Sequence, residues 1–240
     1  MLFAGIQKTT LLDYPGKVAS TVFTYGCNFR CPFCHNPELV IEEFLEENKI
    51  SEEEILEFLS GRVGKLDGLV ITGGEPLIND NIIEFIYRVK DLGYLVKVDT
   101  NGSFPDRLKR LIDEKIVDYF AMDIKNSLER YIKTVGLDHS RKKDCEKIKQ
   151  NVIESMSLIT SSAIDYEFRT TIVPGLHTIE SVEGIGRLIK GSKKFCIQNF
   201  RPGKTINNKY STTKPFSSKE IEEYVKILSK YVANIEVRGI

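Results

Sequence analysis

Short runs of β-branched and aromatic residues alternate with longer amphipathic stretches along most of this chain. The short runs predict strands at Val18–Tyr25, Gly68–Thr72, Leu95–Thr100, Tyr119–Ile124, Glu167–Val173, Phe195–Phe200 and Ile235–Val237. The stretches between them predict helices over Asn81–Leu92, Pro105–Lys115, Arg141–Thr160, Ile179–Gly191 and Ser217–Lys230. Ser51-Glu52-Glu53-Glu54 has the pattern of a capping box, with Ser51 as N-cap and Glu54 three residues on. Ser217 and Ser218 suit the start of the last helix. No repeat, low-complexity run or linker interrupts the pattern. Strands that alternate with helices imply an α/β fold with a parallel sheet and right-handed crossovers. Periodicity leaves open whether that sheet is doubly wound or curls into a barrel. Either architecture puts functional residues at the C-terminal ends of its strands.

Those ends carry a consistent chemistry. A cysteine loop follows the first predicted strand, and Thr72-Gly73-Gly74-Glu75-Pro76 follows the second. The third ends in Asp99-Thr100-Asn101-Gly102 and the fourth in Asp123-Ile124-Lys125. The fifth carries Arg169 ahead of Val173-Pro174-Gly175. A carboxylate such as Asp99 at the end of an apolar strand is costly unless it is paired. Asp123 and Lys125 stand two apart, so they face one side.

Composition narrows the setting. Charged residues make up 28% of 240 and balance to zero, so nothing points to a nucleic-acid or membrane surface. The basic run Arg141-Lys142-Lys143 is followed by Asp144 and Glu146 and reads as a solvated helix face. The N-terminus lacks the apolar region of a signal peptide, and no run reaches the ~20 apolar residues of a membrane span. A cytoplasmic protein is expected, with reduced thiols. Clustered cysteines then read as metal ligands or redox groups.

Three of the five cysteines fall in Cys27-Asn28-Phe29-Arg30-Cys31-Pro32-Phe33-Cys34-His35-Asn36-Pro37, spaced C-x3-C-x2-C. Three thiolates on a four-iron cluster leave one iron open to a small molecule. Zinc with His35 as the fourth ligand is the alternative. Adjacent Cys34 and His35 make that awkward around one tetrahedral ion. Cys145 and Cys196 are too few and too far apart to supply a second four-cysteine cluster, and both read as free thiols. His139 and His177 read as exposed loop residues.

The cysteine loop resembles that of the radical S-adenosylmethionine (SAM) enzymes, and more narrowly their glycyl-radical-enzyme activating branch. That branch includes the activators of anaerobic ribonucleoside-triphosphate reductase and of pyruvate formate-lyase. The lead-in Gly5-Ile6-Gln7-Lys8 … Leu12-Asp13-Tyr14-Pro15-Gly16-Lys17 resembles the reductase-activator subgroup. The resemblance runs from about residue 3 to about 175, with the GGEP, DTNG and DIK segments in the family's order.

The resemblance implies one radical SAM domain over residues 1–240, built as a partial (β/α)6 TIM-like barrel. Residues from about 176 onward would complete the barrel and dock the partner. It implies a [4Fe-4S] cluster on Cys27, Cys31 and Cys34, with S-adenosyl-L-methionine on the open iron. Phe33, Cys34 and His35 would meet the adenine, and Gly73, Gly74 and Glu75 the methionyl ammonium. Asp99 and Asp123 would form a monovalent-cation site, with Asn101 in the turn beside it, and Lys125 would lie near the SAM carboxylate. Asn199 is a further candidate contact, and Arg169 is a candidate for the incoming glycyl loop. The pyruvate formate-lyase activators have a histidine near Gln198–Arg201 that this sequence lacks. The partner implied is a glycyl radical enzyme, most simply anaerobic ribonucleotide reductase, with flavodoxin or ferredoxin as electron donor. A radical SAM enzyme acting on a small molecule, as 7-carboxy-7-deazaguanine synthase does, is the first alternative. A zinc-binding non-enzyme is the second.

Overall fold

A computed structural model describes residues 2–41 and 49–239. The strands, in chain order, are β1 (Leu2–Thr10), β2 (Ala19–Thr24), β3 (Ile50–Ser51), β4 (Gly68–Gly73), β5 (Leu95–Thr100), β6 (Tyr119–Asp123), β7 (Asp165–Ile172), β8 (Phe195–Asn199) and β9 (Ile235–Arg238). The helices are α1 (Glu52–Ser60), α2 (Ile82–Asp91), α3 (Pro105–Asp113), α4 (Tyr131–Thr134), α5 (Lys142–Ser161), α6 (Ile179–Leu188) and α7 (Ser218–Leu228). One sheet holds the strands in the order β3-β1-β2-β4-β5-β6-β7-β8-β9. From β2 to β9 every neighbouring pair is parallel, and at least one helix lies on each crossover. The sheet does not close, so β3 and β9 are its edges and the fold is a partial (β/α)6 barrel.

All seven expected strands and all the expected helices are present. Ser51 Oγ accepts from the Glu54 amide at 3.2 Å while Glu54 Oε2 accepts from the Ser51 amide at 2.8 Å, the reciprocal pair of a capping box. Ser217 and Glu220 repeat that arrangement at α7. Three elements were not expected, and one of them, β3, is a two-residue strand too short to show a pattern. β1 pairs antiparallel with β2, but its register shifts twice, between Phe3 and Gly5 and between Gln7 and Thr10. Those irregularities break the two-residue alternation that marks a strand. α4 is only four residues long, too short for a helical period to show.

The sheet is apolar on one face and ionic on the other. Val96, Val98, Phe120, Met122, Phe168 and Ile197 point outward, under the helices, in the main hydrophobic cluster. Each side chain buried there contributes about 1.5–3 kcal/mol. The register pairs Lys97 with Tyr119, Asp99 with Ala121 and Asp123 with Arg169, which puts all of these on the inner face. At the N-terminal ends of the strands, Tyr14 packs with Ala19, Val70, Leu95 and Tyr119 and closes the inside of the sheet there.

Candidate active site

The C-terminal strand ends enclose one cavity, and it gathers every residue singled out from the sequence except Asn199. The loop after β2 contributes Cys27, Cys31, Phe33, Cys34 and His35. β4 contributes Gly73, Gly74 and Glu75, and β5 contributes Asp99 and Asn101. β6 and its next turn bring Asp123 and Lys125, and β7 brings Arg169. Asn199 instead turns to the outer side of β8, where its Nδ2 donates to the Phe216 carbonyl at 2.8 Å. It lines only a neighbouring groove with Gln198 and Arg201.

The cysteine loop has little regular structure, and distant segments hold it in shape. The Gly26 amide donates to the Leu39 carbonyl at 2.8 Å, and the Arg30 amide to the Val135 carbonyl at 2.8 Å. The Asn207 amide reaches the Pro32 carbonyl at 2.9 Å. Burial pushes the Cys27 thiol up to about 11 and the Cys31 thiol up to about 12, and it raises Cys34 as well. The thiols are protonated without metal, and binding one releases protons. Among the described residues no three Cys, His, Asp or Glu side chains close on a single ion. Three thiols that line one cavity suit a four-iron cube, where each thiolate takes its own iron. The His35 ring is stacked on Phe200, with centroids 5.2 Å apart.

The paired glycines serve the loop's own packing. The Gly74 amide donates to the Thr24 carbonyl at 3.0 Å and the Glu75 amide to the Gly26 carbonyl at 2.7 Å. A Cβ at Gly74 would overlap the Gly26 carbonyl, and one at Gly73, where φ is +124°, would overlap the Thr24 backbone. Glu75 is wholly buried. Its carboxylate accepts from the Leu77 amide at 3.1 Å, the Thr100 hydroxyl at 2.7 Å and the Asn101 amide at 2.6 Å. It thereby ties the end of β4 to the end of β5. Desolvation raises its pKa to about 7, against the pull of those three donors.

The aspartates sit in an ionic chain across the inner face. Arg169 donates from Nε to Asp123 Oδ1 at 2.9 Å and from Nη1 to Asp99 Oδ2 at 3.0 Å. Lys125 Nζ donates to Asp123 Oδ2 at 2.9 Å, and Lys97 is paired with Asp99. Burial is the largest influence and would raise both carboxyls, but Arg169 acting together with Lys97 at Asp99 and with Lys125 at Asp123 outweighs it and holds them below the usual range. Burial likewise opposes the Lys125 charge, and Asp123 more than restores it. Lys97 escaped notice in the sequence, although its place two residues before Asp99 puts it on the same face.

His177 is not an exposed loop residue. It is 2% exposed, and burial lowers its pKa to about 4. The Val173 amide donates to Nδ1 at 3.0 Å, which leaves the proton on Nε2, 3.0 Å from the Lys125 carbonyl. A histidine that braces backbone from inside leaves no mark in a loop sequence. His139 is exposed, as expected.

Comparison with known proteins agrees with this geometry. The Radical SAM superfamily profile matches residues 21–189. A protein of Methanocaldococcus jannaschii, provisionally named a glycyl-radical enzyme activating enzyme, is 33% identical across 100% of this chain and 96% of its own length. The 7-carboxy-7-deazaguanine synthase of Clostridium acetobutylicum is 28% identical over 74% of this chain and 81% of its own. In fold, the crystal structure of Streptococcus suis SuiB bound to S-adenosylmethionine superposes with a TM-score of 0.63 at 14% identity, over 90% of this chain and 49% of SuiB. The profile runs from β2, ahead of the cysteine loop, to the end of α6, and the chain is therefore an enzyme that belongs to the radical SAM superfamily.

Proposed function

We propose that the protein activates a glycyl radical enzyme, and that the partner is an anaerobic ribonucleoside-triphosphate reductase. One observation carries the reading: the three loop thiols share a cavity with the Gly73–Glu75 segment and with the Asp99–Arg169–Asp123–Lys125 chain. Cys27, Cys31 and Cys34 would hold three irons of a [4Fe-4S] cluster and leave the fourth to SAM. Bound together, the two groups supply a one-electron cleavage that yields methionine and a 5′-deoxyadenosyl radical able to take hydrogen from a glycine Cα.

The chain's own residues bind, orient and screen. Lys97, Lys125 and Arg169 stand against Asp99 and Asp123, and Lys125, which lines the cavity where Lys97 does not, suits the methionyl carboxylate. Carbonyls at the end of β4, held in place by Glu75, suit the ammonium. Phe33 and His35 flank the adenine. Arg169 gives two of its five donors to aspartates and keeps three, so it can hold them and still meet the glycyl loop. Asp99 and Asp123 each already carry two cationic partners, and Lys97 stands where a monovalent cation was expected; we propose none. Flavodoxin or ferredoxin delivers the electron, in the cytoplasm. Among the described residues no helix is long and apolar enough to cross a membrane.

The test is anaerobic reconstitution with iron and sulfide, dithionite reduction with SAM, and assay of 5′-deoxyadenosine. The reductase is then added and its glycyl radical sought by electron paramagnetic resonance. The wild type should cleave SAM, and Cys31→Ser should lose both cluster and cleavage. A variant that still cleaves SAM overturns the cluster assignment. The likeness to 7-carboxy-7-deazaguanine synthase supports a second reading, action on a small molecule. Turnover of such a substrate, with no radical on protein, would decide for it.

A further inference from the structure

Asn101, Asn28 and Ser103 form a closed ring of hydrogen bonds beside the first cluster cysteine. Asn101 Oδ1 accepts from the Ser103 amide at 2.9 Å and from the Ser103 hydroxyl at 2.6 Å. Ser103 Oγ accepts from Asn28 Nδ2 at 2.8 Å, and Asn28 Oδ1 accepts from Asn101 Nδ2 at 2.9 Å. A backbone amide can only donate, so the Ser103 amide fixes which end of the Asn101 side chain is oxygen. Its NH2 group must then face the cysteine loop. One of the two protons goes to Asn28. The other is directed at Cys27 Sγ, 3.9 Å from Nδ2. The Phe29 amide approaches the same sulfur at 3.4 Å.

Two members of the ring are buried, Asn28 is half-buried, and the ring is anchored. Asn101 is 5% exposed and Ser103 3%. The Ser103 carbonyl accepts from Asn151 Nδ2 on α5 at 2.8 Å, and the Asn101 amide is held by Glu75. Asn101 therefore has no freedom to turn its donor away from the sulfur.

We propose that Asn101 is a positioning residue that sets the reduction potential of the cluster through an N–H···S bond to Cys27. The inference rests on the proposed three-cysteine cluster. Reduction adds negative charge to the cluster, part of it on the cysteine sulfurs. A donor aimed at that sulfur favours the reduced state and raises the potential. Asn28 and Ser103 aim the donor and do not themselves reach the sulfur.

The experiment is a redox titration of the reconstituted cluster, without SAM, in wild type, Asn101→Leu and Asn28→Ala. Asn101→Leu removes the donor at similar volume and adds no charge. Its reduced-to-oxidised ratio at a fixed poise should fall at least tenfold, about 59 mV lower for a one-electron couple. Asn28→Ala opens the ring but leaves the Asn101 donor, still held through Oδ1 by Ser103, and its potential should fall by less. An unchanged potential in Asn101→Leu overturns the inference, as does an equal fall in both variants. If Asn101→Leu takes up no cluster, wild type grown with asparagine carrying 15N only in its side chain decides. Pulsed paramagnetic resonance of the reduced cluster should show a 15N coupling, and its absence overturns the inference. Wild-type protein that forms no four-iron cluster would overturn the functional reading and this inference together.

Discussion

His177 braces the Lys125 carbonyl through a ring that must stay neutral, because Nδ1 accepts the Val173 amide. Protonation would set two N–H donors face to face. Its pKa, ordinarily 6.5, is lowered by burial to about 4, so the unfolded chain takes up a proton more readily than the folded one. The stability this contributes is complete above pH 6.5 and is lost as the pH falls through 4. At pH 5 the loss is about 2 kcal/mol by that linkage. Urea titrations of wild type and His177→Gln at pH 7 and pH 5 check it: the wild type should lose about 2 kcal/mol more than the variant. At this scale the sequence was legible where a residue type can do only one kind of chemistry. The cysteines and the strand-end aspartates stood out for that reason. His177 and Asn28 stayed hidden because their roles depend on backbone that folds back from far along the chain.

Among the elements, α4 is the least conspicuous and has the most direct hold on the cysteine loop. Its last turn presents the Val135 carbonyl to the Arg30 amide, and Gly136 follows with φ at +70°. A Cβ there would overlap the Arg30 carbonyl, so the loop can come this close only over glycine. Gly136→Ala should cost more than about 1 kcal/mol and displace the loop. Iron content after reconstitution reads the result: the variant should hold well under the wild-type amount, and a full complement would mean that the loop does not depend on this contact. β4 reads as a continuous apolar run and β5 to β8 as β-branched and aromatic runs broken by inner-face polar residues, which is why these strands were visible in sequence. β1 was not, because its two register shifts scramble the alternation.

Across the whole molecule, the sheet divides stability from chemistry. The outer face carries the apolar core, and the inner face carries ions that compensate one another. Toward the open edge the pattern continues, with Arg238 forming two bonds of 2.9 Å to buried Glu167, and Lys194 reaching the same carboxylate at 3.1 Å. A site whose charges are met from within has little need of salt ions. SAM cleavage should therefore proceed at an unchanged rate when potassium is exchanged for tetramethylammonium. In Lys97→Met, where Asp99 keeps only Arg169, a potassium requirement should emerge. Initial rates of 5′-deoxyadenosine formation measure both.

Tyr14 stoppers the sheet at the ends of the strands away from the cysteines. With that end stopped, traffic is left to the rim and to the open edge of the sheet. On the proposed function, a protein partner that covered the rim would have to arrive after SAM and leave before methionine, an order that a single aromatic ring on the far side of the molecule from the chemistry helps to set.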